Sequence, residues 1–211
     1  MNKTILFDLD GTLIDSTPAI LEGFDVCFNE NSIPVPNEDK ILSLIGHPLD
    51  VMFIELGIEE KKIEKFVISY KQHYRKISNQ MTTLLPNAKE AIELANSFAT
   101  IGVVTTKTGR YSDELLIHLG VRKYFKVLIG REDVINPKPH AEPILKALTH
   151  LKANKESSFM IGDTNLDIES SFSAGIKPIG VLTGYDKNMD KHNIILKKDS
   201  LGAVKYIKEI F

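Results

Sequence analysis

Lys3-Thr4-Ile5-Leu6-Phe7-Asp8-Leu9-Asp10-Gly11-Thr12-Leu13 sets the fold of this chain. An apolar run of strand length stops on an acid, and a second acid follows two residues later. Asp10-Gly11 between apolar neighbours is a strong turn signal. That signal accounts for Asp10 but leaves Asp8 unexplained, because a carboxylate is a poor end for a buried apolar strand. In extended chain, residues two apart face the same side. The two carboxylates therefore approach each other, which is unfavourable unless something compensates the charge.

Downstream come four helical segments with no strand between them: 17–31, 38–45, 48–56 and 59–78. Pro18 suits the first turn of the first segment, and Gly57 closes the third. Ile63, Phe66, Val67, Tyr70, Tyr74 and Ile77 share one face of the last at helical spacing. From residue 85 the pattern alternates. Asn87 and Glu90 predict an N-cap box opening a helix to Ser97. A strand at 101–104 leads to a helix with Asp113 and Glu114 placed early, where the macrodipole favours acids, and Gly120 just past its end. Strand 126–129 precedes a helix through Ile144, Leu148 and Leu151, and strand 158–161 precedes a helix closed by Gly175. Strand 178–182, an edge strand at 194–196 and a helix over 201–210 complete the series.

Strands alternating with helices predict an α/β fold, a Rossmann-like parallel sheet covered on both faces. Strand 3–8 belongs to that sheet, so the helical block is an insertion. The expected organisation is a core of residues 1–16 and 83–211 and a four-helix cap of residues 17–82. The two join at crossings near Asp15-Ser16 and Thr82-Leu84, where an all-helical insert would act as a lid.

Composition narrows the partners. The 211 residues suffice for a core without staples. Lys plus Arg number 26 and Asp plus Glu 28, a net charge of −2, so no basic excess points to nucleic acid. The apolar runs fall far short of the ~18 residues of a membrane span. An acid at position 8 is incompatible with a signal-peptide core, and a cytoplasmic protein is expected, as a monomer or homodimer. Cys27 is the single cysteine, which excludes an intrachain disulfide. Its setting among Ile20, Leu21, Phe24 and Phe28 makes it a small buried hydrophobe.

In an open parallel sheet, ligands bind beyond the carboxyl ends of the strands. Asp8 and Asp10 follow the first strand, Thr105-Thr106-Lys107 the second, Lys138 the third, and Asp163 through Asp167 the fourth. Thr105 could simply end a strand, Lys107 or Lys138 could be solvated, and Asp167 could be the N3 acid of a helix cap begun by Thr164. Such readings would have to coincide four times at one sheet edge. Phosphoryl transfer uses the whole set. Carboxylates from two strands suit Mg²⁺, a hard cation that prefers oxygen. The ion would relieve the repulsion of Asp8, Asp10 and Asp163 and draw in a phosphate dianion. Lys138 and a threonine hydroxyl would hold the non-bridging oxygens, with N–H groups of the Leu9–Gly11 turn as further donors.

Asp8-Leu9-Asp10-Gly11-Thr12-Leu13 resembles the first motif of the haloacid dehalogenase-like hydrolases in its phosphatase form. Val104-Thr105-Thr106-Lys107 resembles the second motif, Lys138 the third, and Gly162-Asp163 with Asp167 the fourth. The resemblance spans the chain in the right order. The helical insert is similar to the C1 cap of the phosphoglycolate phosphatase branch, with Ile45-Gly46-His47-Pro48-Leu49 like its cap segment and Gly180 to Tyr185 like its late loop. Two departures bear on substrate: Pro139-His140-Ala141 follows Lys138, and Thr183 stands where that branch often has Trp. The resemblance implies Asp8 as nucleophile and Asp10 as general acid, then base. It implies Mg²⁺ on Asp8, the Asp10 carbonyl and Asp163 with support from Asp167, and Thr105 and Lys138 gripping the phosphoryl group. Gly11 and Thr106 are expected beside the substrate, and His47 either over the leaving group or packed at a helix end. The implied substrate is a small phosphorylated metabolite, phosphoglycolate first. An inorganic pyrophosphatase, a sugar or nucleotide phosphatase, and a β-phosphoglucomutase-like phosphotransferase stay open. A non-catalytic binding protein on this scaffold would be expected to lack Asp8, Asp10 or Lys138.

Overall fold

Six strands form one wholly parallel sheet in the order β5 (Val127–Ile129), β4 (Ala99–Val104), β1 (Lys3–Phe7), β6 (Ser158–Gly162), β7 (Lys177–Val181) and β8 (Ile195–Lys197). The computed structural model describes residues 3–186, 189 and 193–210. Met1, Asn2 and Phe211, assigned to the core from sequence, lie outside the described residues. β1 has a strand on each side, with Ile5 opposite both Ile101 and Phe159. Its alternation sorts the two faces. Ile5 and Phe7 pack with residues of α5 (Ala88–Asn96), α6 (Gly109–His118) and α9 (Ser200–Glu209). Leu6 packs with Ile144 and Leu148 of α7 (Glu142–Leu151) and Ala174 of α8 (Asn165–Ala174). Burial on both faces is why β1 reads as an unbroken apolar run.

The two crossings pair with each other. β2 (Ile14–Asp15) and β3 (Thr83–Leu84) form a two-stranded antiparallel ribbon with Ile14 opposite Leu84 and Asp15 opposite Thr83. Between them lie α1 (Thr17–Glu30), α2 (Glu38–Leu42), α3 (Leu49–Glu55) and α4 (Ile63–Met81). Their apolar faces meet in a cluster of their own around Phe24, Phe28, Phe53, Phe66 and Tyr70. The Phe24 and Phe53 rings lie 5.2 Å apart and the Phe53 and Phe66 rings 5.4 Å. Such contacts add about 0.5–1.5 kcal/mol each beyond the area they bury. Cys27 is buried in this cluster. Among the described residues no helix is long and apolar enough to cross a membrane.

Two local expectations are corrected. Asn87 is left-handed (φ 65°), and its side chain donates to Asp199 rather than capping α5. Asp113 and Glu114 lie beyond the first turn of α6, where they pair with Arg122 and Arg110. The acid that serves the α6 N-terminus is Glu132, which accepts from the N–H groups of Gly109 (2.8 Å) and Arg110 (3.2 Å). The compensating charge comes from a distant loop, so helix periodicity alone could not reveal it.

Candidate active site

Beyond β1 the chain folds into a tight knot. The Asp8 N–H still donates to the Ile161 carbonyl at 2.9 Å, as if the strand continued. Gly11 then turns with φ 80°, and the Leu13 and Ile14 N–H groups both donate to the Leu9 carbonyl. The Gly11 N–H is spent on Ile14 at 2.9 Å, so it is not the anion donor expected from sequence. The N–H groups of Leu9 and Asp10 have no acceptor among the described residues. The turn thus keeps two donors beside Asp8 and Asp10.

Around this knot three further groups gather. Lys138 is buried, with Nζ 2.6 Å from Asp8, 2.5 Å from Asp167 and 3.2 Å from the Val104 carbonyl. Thr164 precedes α8, and its N–H and hydroxyl both donate to Asp167, as the cap reading expects. Asp163 accepts from the Thr12 hydroxyl at 2.8 Å and the Tyr185 N–H at 3.2 Å. It sits between two glycines: a Cβ on Gly11 would stand 2.4 Å from its Oδ2, and one on Gly184 only 1.7 Å. Gly11 therefore serves the acid cluster by leaving room.

Asp8, Asp163 and Asp167 are all buried, each with a carboxylate oxygen within 4.8 Å of the others. Three carboxylates against one ammonium would leave two negative charges uncompensated with all of them ionised. Burial, chiefly, pushes Asp8 up to about 7 against the pull of Lys138, and burial with the nearby Asp8 and Asp167 charges holds Asp163 well above the usual carboxylate range. Burial would lower Lys138, but Asp167 and Asp8 outweigh it and keep it firmly protonated. A set of buried, close, hard oxygen donors with uncompensated charge fits a divalent cation.

Asp10 keeps its carboxylate out of this cluster. It accepts from the Ser16 hydroxyl and lies 3.3 Å from the Lys107 ammonium. It also lines a cavity of about 610 Å³ between the core and the helices of residues 17–82. Thr105 is buried at the end of β4, where its hydroxyl accepts from the Lys107 N–H. Thr106 donates to the Gly46 carbonyl at 2.8 Å, so the hydroxyl expected at the substrate joins the segment after β4 to the helical insertion. His47 lines the cavity, half-buried. His140 is exposed, and its ring nitrogen accepts from the Glu142 N–H.

Sequence reasoning missed Thr12, Ser16, Tyr74 and Tyr185. Thr12 and Ser16 adjoin the first acid pair, and a hydroxyl there was the available signal. Tyr185 bonds Asp163 through its N–H and Thr17 through its hydroxyl (2.8 Å), linking the late loop to α1. Thr183 donates to the Gly11 carbonyl at 2.7 Å, which gives the departure from Trp at this position a structural role.

Residues 5–181 match the family of haloacid dehalogenase-like hydrolases. The chain is 34% identical over 200 residues, 92% of each chain, to pyrophosphatase PpaX of Oceanobacillus iheyensis. It is 28% identical over 209 residues, 87% of this chain and 82% of the relative, to a phosphoglycolate phosphatase of Salmonella choleraesuis. A haloacid dehalogenase-like hydrolase of Streptococcus pneumoniae superposes with a TM-score of 0.87 at 26% identity, covering 97% of this chain and 98% of that one.

Proposed function

The chain belongs to the haloacid dehalogenase-like hydrolases, and from that premise we propose that it is a Mg²⁺-dependent phosphatase of small phosphate monoesters that works through a phosphoenzyme on Asp8. The observation that carries this is the divergence of two carboxylates only two residues apart. Asp8 is buried with Lys138 and the other acids, whereas Asp10 faces the cavity beside Lys107 and Ser16. Environments that differ in this way separate a nucleophile from an acid–base group.

In the first step the Asp8 carboxylate oxygen attacks phosphorus, the bond to the ester oxygen breaks, and Asp10 gives its proton to the departing alkoxide. In the second, Asp10 takes a proton from water as that water attacks phosphorus. Inorganic phosphate leaves and the Asp8 carboxylate is regenerated. Lys138 and the Thr105 hydroxyl hold the phosphoryl oxygens, and the Leu9 and Asp10 N–H groups are available as further donors. Asp8, Asp163 and the Asp10 carbonyl would hold Mg²⁺, with Asp167 in support. The ion would supply charge neutralisation for the phosphoryl group and the surrounding acids.

Residues 17–82 are read as a lid hinged on the ribbon of β2 and β3. Their separate apolar cluster supports movement as one body, which would close the site against bulk water. Phosphoglycolate, and next pyrophosphate, are the first compounds to assay, following the names of the relatives. The test is acid quench during turnover of acetyl phosphate with Mg²⁺, followed by mass spectrometry of the Asp8 peptide. One phosphoryl group on Asp8, absent in Asp8→Asn, is expected. Sustained hydrolysis by Asp8→Asn would overturn the reading, and full turnover in excess EDTA would remove the metal from it.

A further inference from the structure

We infer that the leaving group this site accepts is an uncharged alcohol with an apolar or ring-bearing body, about the size of a nucleoside. The inference rests on the phosphatase reading and concerns the part of the cavity beyond Asp10. That cavity runs without interruption from Asp10, Thr106 and Lys107 to α3 and α4 and encloses about 610 Å³. A two-carbon hydroxy acid or an orthophosphate occupies on the order of 100 Å³, at about 20–30 Å³ per heavy atom. Either would leave most of the space to water against the walls.

Apolar side chains share those walls with charged ones. Leu49, Met52, Ile63 and Val67 line the end away from Asp10, and Ile54, 52% exposed, extends the surface to the rim. Water against such a wall is displaced favourably by an apolar body, at roughly 25 cal/mol per Å². Charge points the same way. The lining holds three fixed cations, Lys71, Lys107 and Arg131, against four carboxylates. Lys107 is already held by Asp10 and by the Tyr74 hydroxyl. A second phosphate or a carboxylate on the leaving group would meet a lining with no surplus of positive charge. Like-charge juxtaposition of this kind discriminates against a ligand. The substrates named for the relatives, pyrophosphate and phosphoglycolate, are both of that anionic kind.

Ethyl phosphate and 2-phenylethyl phosphate test this, because both release a primary alkoxide and differ in the apolar body. They are assayed with Mg²⁺ beside thymidine 5′-monophosphate, phosphoglycolate, pyrophosphate and acetyl phosphate. The expected kcat/KM for 2-phenylethyl phosphate and the nucleotide is roughly tenfold or more above ethyl phosphate, phosphoglycolate and pyrophosphate. Calorimetric titration of Asp8→Asn should give the same order of affinities. Val67→Asp and Leu49→Asp, both at half-buried positions, should bring the ratio of 2-phenylethyl to ethyl phosphate toward one. A ratio near one in the unmodified protein, or a preference for phosphoglycolate or pyrophosphate, overturns the inference and leaves the phosphatase reading standing. Failure to hydrolyse any of the six, acetyl phosphate included, overturns both.

Discussion

The Lys107 ammonium lies 3.1 Å from the Tyr74 hydroxyl and 4.6 Å from the centre of its ring. Lys107 follows β4 of the sheet, and Tyr74 belongs to α4 of the helical insertion between β2 and β3. Burial alone would lower the lysine, but Asp10 and the tyrosines outweigh it and hold it charged. The contact therefore fastens α4 beside Asp10 with a cation. Thr106 on Gly46 and Thr17 on Tyr185 fasten the same boundary with neutral hydrogen bonds.

Lys107→Met should loosen that boundary more than Tyr74→Phe. The first removes the charge from both Asp10 and the ring, while the second loses one hydrogen bond and keeps the ring face. A partly desolvated cation–π contact contributes about 1–2 kcal/mol and a hydrogen bond about 1 kcal/mol. Losses in kcat/KM of roughly tenfold or more and roughly two- to fivefold follow. Steady-state kinetics with hydrogen exchange of the β2–β3 ribbon would check both. Equal losses would shift the contact from the charge to the phenol.

Asp10→Asn should slow phosphoenzyme formation according to the leaving group. General acid assistance gives roughly 10²–10⁴-fold, and an alkoxide needs it while 4-nitrophenolate does not. Single-turnover quench experiments with ethyl phosphate and 4-nitrophenyl phosphate isolate this step from later hydrolysis. A loss of the same size on both esters would remove Asp10 from the role of acid.

The groups legible in the sequence are those fixed by strand ends. Asp8, Thr105 and Asp163 each stand where a parallel strand stops, and the alternation of strands and helices brings those ends to one edge, whereas Lys138 reaches it from the loop well beyond β5. The capping role of Asp167 was legible because its partner Thr164 is three residues away. Long-range partners were not. Thr12 meets Asp163 across 151 positions and Glu132 meets Gly109 across 23, and no local pattern encodes either pairing. Tyr74 was legible only as part of an apolar face, because the spacing that buries its ring does not show where its hydroxyl goes. The expected Gly11 donor failed for a related reason: the turn that makes glycine necessary consumes its N–H.

Gly184→Ala should act on the acid cluster from outside it. A methyl group there would stand 1.7 Å from Asp163 Oδ2, so the carboxylate or the late loop must shift. Displacing one ligand of a metal set should weaken Mg²⁺ roughly ten- to hundredfold. The check is activation of hydrolysis titrated with Mg²⁺ and, separately, calorimetric Mg²⁺ binding. Unchanged affinity with an intact melting transition would mean that Asp163 does not hold the ion.

Proton and metal should compete for the buried acids, and thermal melts can read the competition. Asp8 rises from 3.8 to about 7, and Asp163 is raised too. A carboxylate whose folded value is raised contributes stability that is fully present below its unfolded value and lost as pH climbs through the folded one. The metal-free protein should therefore melt higher near pH 5 than near pH 8. Glu132, Glu142 and Asp199 are held below their ordinary values and titrate beneath this window. Lys138 is raised and titrates above it. Mg²⁺ needs the ionised carboxylates and so should stabilise most where protons do least. Saturation at about a hundred times Kd contributes about 2.7 kcal/mol. At about 2–4 °C per kcal/mol for a chain of this size, that is roughly 5–10 °C near pH 8, shrinking toward zero near pH 5. Melts in EDTA and in excess Mg²⁺ across the window test both slopes. An increment independent of pH, or a metal-free Tm that climbs from pH 5 to pH 8, would show that Asp8 and Asp163 are not the groups the ion relieves.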